Sequence, residues 1–109
     1  MTSKFEVVAE PARREILDLL LQAQRPVGEI ATATGLSQPN TSRHLRILRD
    51  AGLVERRSEG QRRLYRVRAE GFGELAAWLA PYVRMLAPAR PGPAATARRQ
   101  DPDEPPPAR

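Results

Sequence analysis

Polar side chains suited to reading DNA bases are concentrated between residues 38 and 46. Glutamine and asparagine can each form two hydrogen bonds with an adenine edge, arginine can do the same with guanine, and serine can reach a base or a phosphate. Residues of these types in this short segment are Gln38, Asn40, Ser42, Arg43 and Arg46. The segment therefore has the chemistry of a surface that recognises duplex DNA, although such residues are also typical of an ordinary solvent-exposed helix.

A strongly basic stretch begins in this segment and continues to residue 68. Residues 43–68 carry nine arginines against Asp50, Glu55 and Glu59, a net charge of +6, whereas the whole chain has a net charge of +5. Positive charge concentrated in this way attracts polyanions such as nucleic acid. Charge alone leaves a second interpretation open, in which the stretch is a solvated face whose arginines reflect genome composition.

Apolar periodicity predicts two helices before this segment. The first begins at Pro11, a residue suited to the first helical position, and extends to about Gln22. Its apolar stripe consists of Ile16, Leu17, Leu20 and Leu21. The second begins at Pro26 and ends at Gly35, which we expect in the left-handed conformation. The residues expected to face inward on it are Ile30, Ala31 and Ala33.

A third helix, from about Gln38 to Ala51, is predicted after the strong N-cap residue Ser37. Its spacing predicts that Thr41, Leu45 and Leu48 face the core. The opposite stripe consists of Pro39, Arg43, Arg46 and Asp50, with Ser42 beside it and Gln38 and Asn40 at the N-terminal end. A tight glycine turn between a short and a longer helix indicates a helix-turn-helix, whose second helix enters the major groove.

Two short strands, 53–57 and 63–68, are predicted to form a hairpin around a turn at 58–62 that contains Gly60. We expect this hairpin to act as a basic wing that contacts phosphates or the minor groove. The side chains expected to do so are Arg56, Arg57, Gln61, Arg62 and Arg63. The alternative is a solvated hairpin that only closes the domain.

The end of the chain divides into an apolar helical pattern and a proline-rich segment. Helical spacing is seen for Phe72, Leu75, Trp78, Leu79, Tyr82, Val83 and Leu86. Pro81 lies inside that pattern and is expected to kink or locally break the helix. Residues 88–109 hold seven of the eleven prolines and no aromatic or large aliphatic residue. We therefore expect one folded domain, residues 1–87, and a disordered tail, residues 88–109.

Composition argues against several other classes of protein. The chain has no cysteine and a single histidine, which excludes disulfides, thiolate sites and any site built from several imidazoles of one chain. No paired carboxylates, nucleophile–base set or phosphate loop is visible, and we expect no enzyme activity, cofactor or metal site. His44 is expected to pack or to contact a phosphate. The polar N-terminus and the lack of a long apolar run predict a cytoplasmic protein without a signal peptide or membrane segment.

In their order and spacing, these elements resemble the ArsR/SmtB family of bacterial winged-helix repressors over about residues 5–87. The segments that carry the resemblance are EPARREIL (10–17), VGEIA (27–31), GLSQPNTSRHL (35–45), LRDAGLV (48–54) and EGQRRLYR (59–66). The resemblance implies a mainly α-helical winged helix-turn-helix with a β-hairpin wing. It also implies that the family's DNA contacts fall on Gln38, Pro39, Ser42 and Arg43.

The resemblance further implies a symmetric homodimer formed by the N- and C-terminal helices. The residues that would supply this interface are Phe5, Val8, Phe72, Leu75, Trp78, Leu79 and Tyr82. The alternative is that this apolar stripe packs only within its own subunit. Two-fold symmetry would imply a palindromic operator whose half-sites lie about one helical turn apart.

Metal-sensing members of the family carry cysteines in the second or third helix, or histidine and acidic ligands in the last. The corresponding stretches here, Val27–Gly35 and Gly71–Leu86, contain no cysteine or histidine. The chain therefore resembles the subgroup without metal or thiol sensing, which includes autorepressors of small operons, and its sequence assigns no effector. We expect a sequence-specific DNA-binding regulator that represses by occluding promoter DNA. The alternative is a winged-helix module that binds acidic proteins.

Overall fold

The structure is a computed structural model that describes residues 2–86 of the 109-residue chain. Contacts define two units, one ending at Leu75 and one beginning at Ala76, and described residues of the second are 76–86. The helices are α1 (Lys4–Ala9), α2 (Pro11–Gln22), α3 (Val27–Thr34), α4 (Gln38–Asp50) and α5 (Gly73–Leu86). The strands are β1 (Arg25–Pro26), β2 (Val54–Glu59) and β3 (Arg62–Val67), and a 3-10 turn spans Ala69–Phe72. The expected tail, 88–109, lies outside the described residues.

Helix α1 is short, and side chains complete the hydrogen bonding at its end. At the C-terminal end, Arg13 Nε donates to the carbonyl oxygen of Val7 at 2.7 Å. Arg14 Nη1 donates to the carbonyl oxygens of Val8 and Ala9 at 2.8 and 2.9 Å. These carbonyls have no partner within so short a helix, and cationic donors also suit the negative end of its dipole. Two arginines of α2 therefore fix the end of α1.

Helices α3 and α4 form the helix-turn-helix predicted from the sequence. Gly35, with a φ of +77°, follows α3 and donates its N–H to the carbonyl oxygen of Ala31. Ser37 precedes α4, and its hydroxyl accepts the N–H of Asn40 at 3.2 Å. A left-handed glycine that closes one helix and a serine that caps the next allow a turn of three residues.

The three strands form an antiparallel sheet in which β3 lies between β1 and β2. The β2–β3 ladder continues to the pair Glu59 and Arg62, so the turn consists only of Gly60 and Gln61. Gly60 has a φ of +64°, as a two-residue hairpin turn requires. The predicted turn at 58–62 was too long, because the residues beside the turn are all exposed and no apolar alternation marks them as strand.

The sequence did not predict β1, which is only two residues long. Arg25 pairs with Tyr65 and Pro26 with Leu64, which ties the start of α3 to the hairpin. Pro26, expected to begin a helix, is instead the residue before α3. A strand of two residues is too short to show the alternation of apolar and polar side chains that marks a strand in sequence. Its formation depends on pairing with β3.

The core of the first unit lies between α2, α3, α4 and the hairpin, with one contribution from α1. Its most deeply buried apolar side chains are Val7, Ile16, Ile30, Leu45, Leu48 and Leu53. Removal of these surfaces from water is the main source of stability for a domain of this size. The predicted inward positions Leu17, Leu20, Ala31 and Thr41 are also buried. The five helices and the antiparallel hairpin of the described residues confirm the predicted mainly α-helical winged fold.

Three expectations about individual residues were wrong. Leu21 is 76% exposed, because the buried face of α2 consists of residues 16, 17 and 20 and the next residue turns outward. Ala33 is exposed, and the half-buried residue at that end of α3 is Thr34, whose hydroxyl donates to the carbonyl of Ile30 at 2.8 Å. Pro81 does not break α5, which runs unbroken from Gly73 to Leu86, so of the two effects expected of this proline only the local break is wrong.

Gly71 lies in the 3-10 turn, against the backbone that joins α4 to β2. A Cβ at this position would lie 2.0 Å from the carbonyl oxygen of Gly52, so the backbone must move to accept one. We therefore expect Gly71→Ala to lower the free energy of unfolding by about 1–3 kcal/mol. Urea unfolding followed by circular dichroism, at fixed protein concentration, measures this change.

The matched control is Gly73→Ala, since a Cβ at Gly73 has no neighbour within 4 Å. We expect this variant to change the free energy of unfolding by about 0.5 kcal/mol or less. Equal losses in the two variants would contradict the close approach at Gly71.

Candidate nucleic-acid interface

Helix α4 is divided lengthwise into a buried side and an exposed polar side. Its buried residues are Thr41, His44, Leu45 and Leu48. All six residues predicted to contact DNA from this helix are exposed, namely Gln38, Pro39, Asn40, Ser42, Arg43 and Arg46. The structure therefore brings the predicted set together at the N-terminal part of one helix, on the side away from the core.

Hydrogen bonds fix the first turns of α4. Thr41 Oγ1 donates to the carbonyl oxygen of Ser37 at 2.8 Å, so its buried hydroxyl is satisfied. On the exposed side, Arg43 Nη2 donates to Asn40 Oδ1 at 3.3 Å. The guanidinium of Arg43 is thereby held beside a second polar side chain, and a guanidinium has further N–H groups available for a ligand.

The hairpin carries exposed cations along its length, several of which have carboxylate neighbours. Arg57 Nη2 lies 3.5 Å from Glu59 Oε2, and Arg66 forms an ion pair with Glu55. Arg63 has no ion-pair partner among residues 2–86. Ion pairs between exposed groups contribute little to stability, so these contacts orient the arginines without holding them firmly.

Glu29 of α3 connects the helix-turn-helix to the hairpin. Its carboxylate lies 3.9 Å from Arg25 Nη1 and 3.8 Å from Arg62 Nη2. Sequence reasoning missed this residue. The spacing of four between Arg25 and Glu29 was an available signal, but the approach of Arg62 depends on the pairing of β1 with β3.

His44 is 5% exposed and lies on the inner side of α4. Arg13 Nη1 is 3.2 Å from its Nδ1, which must therefore accept the hydrogen bond. Burial, together with the positive charges of Arg43 and Arg13, lowers the pKa of His44 below its ordinary value, against a smaller opposing effect of Glu10. Of the two roles expected for His44, packing agrees with its burial.

The last part of α5, in the second unit, presents an apolar surface. Trp78 and Tyr82 are 56% and 52% exposed and their ring centroids lie 5.0 Å apart; Leu79 and Val83 are also exposed. In the first unit, Phe5 of α1 is exposed. The other residues predicted to form a dimer interface, Val8, Phe72 and Leu75, are partly buried against the core of the first unit.

Two further properties concern metal ions and membranes. Among residues 2–86, no three His, Asp or Glu side chains lie close enough together to hold a metal ion. Within the same range, no helix has the length and hydropathy needed to cross a bilayer.

The chain is similar to known bacterial regulators over the elements described above. Residues 10–56 match the family described as bacterial regulatory protein, arsR family. The HTH-type transcriptional regulator Rv0324 of Mycobacterium tuberculosis is 44% identical over 72 residues, which cover 66% of this chain and 32% of that protein. The transcriptional repressor SdpR of Bacillus subtilis is 30% identical over 83 residues, which cover 76% of this chain and 92% of that protein.

This chain thus spans about a third of the first relative and nearly all of the second. Among solved structures, it is similar to a homodimeric winged helix-turn-helix DNA-binding domain from Mycobacterium bovis. The two are 42% identical with a TM-score of 0.58, and the match covers 76% of this chain and 73% of that one. Fold, order of elements and sequence therefore agree, and the chain belongs to the arsR family of bacterial regulatory proteins.

Proposed function

We propose that this protein is a sequence-specific DNA-binding transcriptional repressor that acts as a homodimer on a palindromic operator. The observation that carries the proposal is the exposed polar side of α4, which follows a helix-turn-helix and opposes a side buried in the core. The names of similar proteins support it, since SdpR is called a transcriptional repressor and the M. bovis domain is called DNA-binding and homodimeric.

The exposed side of α4 is the proposed surface for reading bases. Arg43, in contact with Asn40, has the donors needed for a guanine edge, while Gln38 and Asn40 suit an adenine edge. The N-terminal turn of α4 would also offer backbone N–H groups to a phosphate. Pro39, Ser42 and Arg46 complete the surface.

The hairpin is proposed to hold the DNA through its phosphates. Arg57, Arg62 and Arg63 are exposed at its tip, beside Gln61 in the turn. Their carboxylate neighbours, where present, are exposed and at 3.5 Å or more, so phosphate oxygens can replace them at little cost. Contacts to phosphates fix the position of a protein on the duplex and carry little sequence information.

Homodimer formation is proposed through the exposed apolar residues of α1 and α5. A cluster that includes Trp78, Leu79, Tyr82 and Val83 is unusual on a surface in contact with water, and such patches mark interaction sites. The homodimeric M. bovis domain supports a second copy of this chain as the partner. A symmetric dimer would present two copies of α4 to half-sites about 34–36 Å apart.

Repression then follows from occupancy of promoter DNA and requires no chemical step. We propose a cytoplasmic regulator that uses neither cofactor nor metal and that acts on its own promoter.

The test is a gel shift with DNA from upstream of its own gene, at about 150 mM salt and with excess competitor DNA, because specific binding keeps its preference for the operator under such conditions. A discrete, competitor-resistant complex is expected. A complex that competitor DNA removes, or no complex at all, would contradict action on its own promoter. Selection of binding sites from genomic DNA would then decide between a DNA-binding repressor and the protein-interaction module.

Substitution of one arginine in each surface separates base reading from phosphate contact. We expect Arg43→Ala to weaken operator binding by about 1–3 kcal/mol and to relax sequence preference at one position of each half-site. The measurement is the dissociation constant on the operator and on operators with single base changes. Equal weakening on all of these sequences would contradict a base-reading role for Arg43.

Arg62→Ala is the matched variant in the hairpin. We expect it to weaken binding to all sequences to a similar extent and to reduce the slope of log K against log salt by about 0.9, as loss of one phosphate contact does. A changed sequence preference in this variant would mean that the hairpin reads bases.

The proposed interface can be tested without DNA by sedimentation equilibrium. We expect the wild-type chain to be a dimer and Tyr82→Glu to shift it towards monomer, because the interface would have to bury an unpaired carboxylate. Leu21→Glu is the control, since Leu21 is an exposed apolar residue outside the proposed interface, and this variant should remain dimeric. A dimer of unchanged affinity in Tyr82→Glu would contradict the proposed role of α5.

A further inference from the structure

His44 is an exception to the polar character of its neighbours on α4. Ser42 and Arg43 are exposed, whereas His44 is 5% exposed and lies among buried residues such as Leu45 and Leu48. A side chain buried in this way is not available to DNA. An imidazole in a core also needs a partner for its ring nitrogens, because an unpaired buried polar atom is costly.

Arg13 supplies that partner and also contacts a third helix. Its Nη1 lies 3.2 Å from His44 Nδ1, and its Nε donates to the carbonyl oxygen of Val7 at 2.7 Å. Val7 belongs to α1 and is 1% exposed, while Arg13 itself belongs to α2 and is half-buried. A single guanidinium therefore joins the last turn of α1 to the middle of α4.

The planar guanidinium makes this connection specific. Arginine presents several N–H groups in a fixed fork, so one side chain can donate in two directions at once. A lysine at this position would have one nitrogen and could not reproduce both contacts with the same geometry. The bond to His44 also requires an unprotonated Nδ1, since a protonated imidazole has no acceptor.

We propose that Arg13 and His44 form a positioning pair that sets α4 against α1, and that DNA binding depends on this hydrogen bond rather than on contact of either side chain with DNA. The proposal rests on the proposed function and adds to it two residues outside the polar side of α4. The pair acts through the orientation of Arg43 and its neighbours.

The charges around His44 make the proposal sensitive to pH. Burial opposes protonation of the ring most strongly, Arg43 of α4 and then Arg13 of α2 also oppose it, and Glu10 before α2 favours it. These effects lower the pKa of His44 below its ordinary value of 6.5, so the pair is intact at pH 7.5. As the pH falls below 6.5, the unfolded chain takes up the proton first, so the stability of the fold decreases; the pair itself is lost at lower pH, when His44 of the folded protein is protonated.

The sign of the pH effect distinguishes this proposal from direct contact with DNA. A histidine that faced a phosphate would bind more tightly once protonated, because it would gain a positive charge. The positioning pair predicts the opposite, a loss of operator affinity once the pH is low enough to protonate His44 in the folded protein. The wild-type protein alone therefore provides one test, with no variant that has to fold.

Two substitutions of His44 provide the second test. His44→Asn places an amide oxygen near the position of Nδ1, so this variant should bind the operator at pH 7.5 within about twofold of wild type. Because asparagine does not titrate, the variant should also lack the loss of affinity at acid pH that is attributed to His44. His44→Leu removes the acceptor at similar size and should lose about tenfold in affinity at pH 7.5. Circular dichroism at pH 7.5 verifies that both variants are folded.

The experiment measures operator affinity of the three proteins by fluorescence anisotropy at pH 7.5 and at decreasing pH down to the lowest value at which circular dichroism shows all three folded, each over a range of salt. The expected result includes equal salt slopes for His44→Leu and wild type, because no phosphate contact is lost. Tighter wild-type binding at acid pH, wild-type affinity in His44→Leu, or a salt slope smaller by about 0.9 in that variant would each overturn the positioning pair. Absence of a specific wild-type complex at pH 7.5 would instead refute the proposed function itself.

Discussion

The inner side chains of α4, Leu45 and Leu48, are 1% and 0% exposed within the core that α2, α3 and the hairpin complete. Because each residue of a helix is turned by about 100° from the one before it, burial of these two leucines fixes the direction of every other side chain on α4. A rotation by one residue would expose a leucine and bury an arginine, at a cost of several kcal/mol, estimated as ~2 for the leucine and more for the charge. The polar side of α4 is therefore held in place by apolar packing behind it.

The two cationic surfaces differ in what surrounds their charges. Arg43 on α4 donates to a neutral amide, whereas Arg57 and Arg62 of the hairpin lie beside carboxylates. Under the proposed function, a phosphate must displace a carboxylate at the hairpin, while a base edge meets an arginine that has no competing charge among the contacts of the described residues. Under the proposed function, the hairpin would therefore bind and release DNA phosphates readily, and α4 would determine at which DNA sequence the protein stays bound.

Much of this arrangement could be predicted from the sequence, because the helix-turn-helix is specified by local signals. Gly35 and Ser37 close and cap adjacent helices through their own backbone and hydroxyl, and the 4-3 spacing of apolar residues determines which side of α4 is exposed. Other features depend on residues distant in sequence. The contact between Arg13 and His44 joins positions 31 apart, and the approach of Arg62 to Glu29 exists only because β1 pairs with β3. No periodicity along the chain carries that information.

Arginine is the cation at every basic position of α4 and of the hairpin, and the single lysine of the sequence, Lys4, donates its ammonium group to the carbonyl oxygen of Gly71 at 2.8 Å. Guanidinium groups remain charged at every pH that a folded protein tolerates and are not substrates for lysine acetylation. Lysine-directed modification within this sequence would therefore reach α1 while leaving the charge of both cationic surfaces intact. Neutralisation of these surfaces requires an anion that covers them or chemistry directed at arginine.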